Sequence, residues 1–148
     1  MAQTFITEKD AIISVQVNWS DGQGHVAAVT FPSDIKSWKT WEGGDPVAAT
    51  SQEIPGNLMG AVATPGPIKR SNVTVTLPYS VAIDALRTQL DGVCNQRMTA
   101  SYQPKDADGN INGGITTRSG LCKQPQFPKF AGDSGTVTTF GLVMECDT

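Results

Sequence analysis

A serine between glycines is the first place to look for chemistry in this chain. Gly132-Asp133-Ser134-Gly135 puts a hydroxyl in a tight turn, a setting that suits a nucleophile. Such a serine works only with a histidine base that a buried carboxylate orients. The single histidine, His25, follows Gly22-Gln23-Gly24 in a context that carries no such arrangement, so turn propensity alone accounts for the tetrapeptide. Asp106-Ala107-Asp108-Gly109-Asn110-Ile111 begins like a calcium loop, with oxygens at alternate positions. Ile111 then stands where the loop needs its sharp glycine turn, and Thr117 where it needs a bidentate glutamate. The segment reads as a hairpin tip. His25 has no second histidine or cysteine pair to complete a metal site, and no phosphate-cradling glycine loop is present. Cys94, Cys122 and Cys146 are odd in number and lack C-x-x-C spacing, so they are expected as buried free thiols. The residues therefore predict no catalytic site, no metal and no cofactor.

Composition narrows the remaining classes. The 148 residues fit one domain spanning 1–148, and 39% hydrophobic with 17% charged residues is a globular balance. A net charge of −3 offers no basic face for gripping phosphates, which argues against tight nucleic-acid binding. Met1 to Asp10 has no long apolar run and carries Glu8, Lys9 and Asp10, so neither a signal peptide nor a membrane anchor is expected. Asn18-Trp19-Ser20 and Asn72-Val73-Thr74 match the glycosylation pattern but fall in or at the end of expected strands.

The elements that would position any site are mostly strands. Ala11 to Trp19 alternates, with Ile13, Val15 and Val17 on one side and Ser14, Gln16 and Asn18 on the other. A turn at 20–24 leads into His25 to Phe31, the second arm of a hairpin that Pro32 ends. Trp38 and Trp41, three apart, cannot share one strand face, so one ring is expected inward and the other offered outward to a partner or to the helix, with plain core packing as the alternative. From Gly43 to Pro67 the chain is rich in Gly, Pro, Ala, Ser and Thr, a long excursion. Residues 47–54 are expected to form a hairpin arm with the preceding segment, closed at Gly43-Gly44-Asp45-Pro46.

Ser71 to Leu77 is a further strand with Val73, Val75 and Leu77 inward. Ser80 then caps an expected helix of about 12–14 residues, with Ile83, Leu86, Leu90 and Val93 at helical spacing and Gly92 at its C′ position. Strands follow at Arg97 to Gln103 and Ile115 to Lys123, and Pro125 and Pro128 mark 126–130 as edge or irregular. The last strand, from Gly135 to Cys146, buries Phe140, Leu142, Met144 and Cys146. At ~3.3 Å per residue it would run about 40 Å, long enough to need partners on both edges, from its own chain or from a second copy. The expected fold is mainly β, a sandwich or partly open barrel with one flanking helix, its sheet completed by neighbouring subunits.

Ser71-Asn72-Val73-Thr74-Val75-Thr76-Leu77, the helix from Ser80, the Asp106 to Gly114 turn, the Gly120-Leu121 strand and the closing Val137 to Asp147 resemble bacteriophage tail tube (major tail) proteins. The order of elements covers residues 68–147, and Trp41-Glu42-Gly43-Gly44 with its excursion resembles the family's first half more loosely. The resemblance implies a structural virion protein, not an enzyme, whose hexameric rings stack into a hollow tube for DNA ejection. Its implied partners are itself, the tape measure, tail terminator and baseplate proteins, and a sheath if the tail contracts. DNA would pass through without specific binding. The implied location is the virion tail after synthesis in the bacterial host cytoplasm. Asn72, Thr74, Thr76, Thr139, Gly141 and Glu145 are then candidates to face the lumen, and Trp38, Trp41, Gly43, Gly44, Val47 and Ile54 candidates for subunit contacts. The alternative is another virion or baseplate component, or a soluble β-sandwich binding module.

Overall fold

A computed structural model describes residues 11–54, 56, 60–105, 114–133 and 135–147. The hairpin tip expected at 106–113 and the serine of the glycine-flanked turn lie outside the described residues.

Along the chain come β1 (Ala11–Ser20), β2 (Val26–Ala28), β3 (Thr40–Glu42), β4 (Pro46–Ala48), β5 (Ser51–Glu53), β6 (Val62–Thr64), β7 (Ile68–Arg70) and β8 (Val73–Pro78). Two short helices follow, α1 (Val81–Asp84) and α2 (Arg87–Leu90), then β9 (Arg97–Pro104), β10 (Thr116–Gln126) and β11 (Thr139–Cys146). Seven strands form one antiparallel sheet in the order β2-β1-β9-β10-β11-β8-β3. β4 with β7, and β5 with β6, form a separate two-stranded ribbon.

The alternation read from the sequence sorts the sheet into two faces. Ile13, Val17, Val73, Val75, Leu77, Met98, Ala100, Cys122, Phe140, Leu142 and Met144 are buried on one of them. The sheet rolls around that face. The segment 37–39 draws the two outer regions together, since Trp38 donates its backbone N–H to Ile13 O at 3.0 Å and Lys39 donates to Thr76 O at 2.7 Å. Ile13 N–H in turn donates to Ser37 Oγ. Two hydrogen bonds between β1 and the segment before β3 are not a ladder, so the sheet remains an open roll rather than a closed barrel.

Several expectations change. β11 begins at Thr139, not Gly135, and both its edges are taken within the chain by β10 and β8. Its partners are therefore its own strands. The weak edges belong instead to β2 and β3, each three residues long. β10 runs on to Gln126 through a bulge at Cys122/Gln124. Pro125 is accepted there because β9 pairs with β10 only as far as Leu121, leaving β11 as the sole neighbour.

The single helix is two four-residue pieces. Ser80 does cap the first, its Oγ accepting from Ile83 N–H at 3.4 Å. Leu86, at φ −91 and ψ 7, then interrupts the run, and its N–H bonds three residues back to Ile83 O. Ile83, Leu90 and Val93 are fully buried, so packing on the sheet sets the path here and overrides helical continuity. Gly92 is needed for close approach rather than as a left-handed cap: a Cβ there would lie 2.3 Å from Ser20 O.

Candidate assembly surfaces

The polar face of the sheet collects most of the candidates for a lumen. Register sets Gly141 beside Thr76 and Val143 beside Thr74, while Thr139 and Glu145 follow on the same side of β11. Asn72 precedes β8 and is exposed. The hydroxyls of Thr40 and Thr76 bond to each other across the outer pair. Gly141 is buried, because a Cβ there would meet Gln126 Oε1 and Val75 O at 3.2 Å. The same face continues across β9 and β10 through Thr99, Ser101, Thr117 and Ser119. Their period-two spacing was readable in the sequence, but nothing local tied them to the β8 and β11 set.

The two tryptophans divide as their spacing requires. Trp38 is 5% exposed and packs edge-on against Phe31 at 5.3 Å and near Phe140 at 6.5 Å, which removes it from the surface. Trp41 is half-buried against Tyr102 at 4.9 Å and donates Nε1–H to Gly43 O. Between the N-terminal end of β1 and the outer strand β3 lies an open cleft of about 400 Å³ lined by Ala11, Ile13, Lys39, Thr40, Trp41, Glu42 and Tyr102.

The arm is a hairpin, but Gly43-Gly44-Asp45-Pro46 is its root, not its turn. Pro46, Val47 and Ala48 pair with Arg70, Lys69 and Ile68, and Ser51 to Glu53 with Thr64 to Val62, so the ribbon closes at its far end. The root needs glycine. Gly43 sits at φ 90, and a Cβ on it would lie 1.8 Å from Asn72 O. Gly44, at φ 82, bonds to Ser71 O, and Ser71 N–H donates to Asp45 O. Gly44 O accepts from two guanidinium groups, Arg70 Nη1 and Arg118 Nε, each at 3.2 Å. Beyond the root the ribbon exposes aliphatic side chains: Val47 is 56% exposed, Ile54 72%, Val62 43% and Ile68 64%.

The titratable groups show no reactive centre among the described residues. Burial pushes the Cys122 thiol up to about 12. Burial also raises Cys146, against the pull of nearby Arg118 and Arg70. Cys94 is exposed, contrary to the expectation that all three thiols are buried. His25 Nδ1 lies 2.9 Å from Asp21 Oδ2 in an exposed loop, where the Gln23 N–H chiefly holds the Asp21 carboxyl below its usual range. No group of three potential metal ligands occurs among the described residues, and none of their helices is long and apolar enough to cross a membrane.

No family model matches the chain, and no curated protein matches it either. Solved structures do. A chain in the sheath/tube terminator of an extracellular contractile injection system (PVC, extended state) aligns with TM-score 0.59 and 16% identity, over 100% of this chain and 96% of the other. A chain in the tube-terminating cap of the anti-feeding prophage gives TM-score 0.56 and 16% identity over 99% and 90%. One in that particle's six-fold symmetrised baseplate gives 0.56 and 11% over 100% and 95%. The fold is thus one found in components of contractile injection systems.

Proposed function

We propose that this protein is a structural subunit of a tail tube, assembling into hexameric rings that stack into a conduit for ejected DNA. The observation that carries this reading is the arm. A two-stranded ribbon is marginal alone in water, and four exposed aliphatic residues on one ribbon are stabilised only when another surface covers them. The cleft is bounded by β3, an outer strand of the sheet, and it is this edge that a strand from a second copy fits. The polar face of Thr74, Thr76, Thr139 and Glu145 supplies a lumen wall that does not hold phosphates. The role is non-enzymatic, and the protein acts in the tail of a particle, with tape measure, terminator and baseplate proteins, and a sheath if the tail contracts, as further partners.

Negative-stain microscopy of the purified protein tests this across a concentration series. Stacked six-fold rings or open-ended tubes are the expected result, and monomers at every concentration overturn it. A second reading is a cap or baseplate ring, favoured by the assemblies in which the matching chains occur. That reading gives single rings that do not extend.

A further inference from the structure

We propose that Arg70 and Arg118 form a seat for a carboxylate presented by a second copy of this chain; the choice of a sister chain rests on the tube reading. The chain has four arginines, Arg70, Arg87, Arg97 and Arg118. Two are matched with acids, Arg87 with Asp91 and Arg97 with Asp147. The other two converge on one neutral acceptor, the carbonyl of Gly44, and among the described residues neither has a carboxylate within 4.0 Å.

A carbonyl oxygen satisfies two N–H groups but neutralises neither charge, so the pair stands as two adjacent like charges. Arg118 adds a bond from Nη1 to Thr117 O, which fixes its plane, while its Nη2 and the Nε and Nη2 of Arg70 have no hydrogen-bond partner among the described residues. Fixed guanidinium forks with donors to spare are the geometry that receives a carboxylate in two parallel hydrogen bonds. Both side chains are half-buried, which strengthens such a bond relative to one in open water. The same chain supplies the complement: Glu42, Glu53, Asp133 and Glu145 are exposed and have no cationic partner within 4.0 Å among the described residues. Nucleic acid is the poorer occupant, since the net charge is −3 and two cations are too few to track a phosphate backbone. The seat lies at the root of the arm, where ordering Gly44 also fixes the ribbon's direction.

The test compares wild-type protein with R70Q/R118Q for assembly, by sedimentation and microscopy, with thermal melts as the folding control. The variant should melt like the wild type yet need at least about tenfold more protein to assemble. Acetate should inhibit wild-type assembly more than chloride at equal ionic strength and should not distinguish itself on the variant. Should R70Q/R118Q fail to fold, R118K keeps the charge without the fork and is expected to show the same acetate-insensitive deficit. Assembly untouched by either substitution, or equal inhibition by acetate and chloride, overturns the seat and leaves the tube reading intact. Wild-type protein that never self-associates overturns both.

Discussion

Single residues fix two parts of this fold that sequence patterning only hints at. The C-terminal end of the sheet is tied by Arg97, whose Nη2 lies 2.6 Å from Asp147 Oδ2, while Asp147 N–H donates to Ser119 O. The Arg97 hydrogen bond holds the Asp147 carboxyl below its ordinary 3.8, so the folded protein binds that proton less tightly than the unfolded chain. The tie contributes fully above pH 3.8 and is lost as pH falls through the lower folded value. Carboxyl carbon shifts should titrate with a midpoint below 3.8 in the wild type and return towards 3.8 in R97Q. The arm's root depends on Gly43 in the same specific way. Gly43→Ala would combine a left-handed backbone with a Cβ 1.8 Å from Asn72 O, and we expect a loss of about 3 kcal/mol or more in chemical denaturation. The sequence marks Gly43 as a turn residue, and its partner across the root, Asn72, is 29 positions away and invisible to local pattern.

At the level of elements, legibility followed periodicity. β1, β8 and β9 were readable because their apolar residues alternate cleanly, β10 because Asp108-Gly109 signals a turn before it, and Phe140, Leu142 and Met144 marked β11. Elements decided by distant contacts were misread. The helix from Ser80 breaks at Leu86, where fitting Ile83 and Leu90 to the sheet outweighs an unbroken turn. The arm was placed in the right stretch but closed at the wrong end, since Val47 meets Lys69 only through a pairing over 22 residues. Of the candidate site, the threonines of β8 were legible from spacing, whereas Arg118, which reaches Gly44 from β10, carried no local signal. None of the residues in the ribbon's four strands is buried, so shortening it should cost the sheet little. Replacing residues 50–65 with Asn-Gly should leave the thermal midpoint within a few degrees of wild type and abolish stacking. Normal tubes from that variant would exclude the arm from assembly.

Over the whole molecule, protection should fall from the middle of the sheet outwards. β11 and β10 have partners on both sides, while β2 and β3 are three residues long and the ribbon's strands hold no buried residue. Hydrogen exchange on the unassembled protein should show β11 amides slowest and those of β4 to β7 fastest, and assembly should slow the latter by at least about tenfold. Equal ribbon exchange before and after assembly would show that no neighbour covers it.

The absence of buried residues from the ribbon's four strands bears on how growth would begin on the tube reading. On that reading, a neighbour that covers the ribbon would restrict it on contact, so the first few encounters would be uphill and later additions onto an ordered end downhill. Polymerisation of this kind shows a lag, a critical concentration and elimination of the lag by preformed seeds, which leaves the start of each filament under the control of whatever template supplies the first ordered layer.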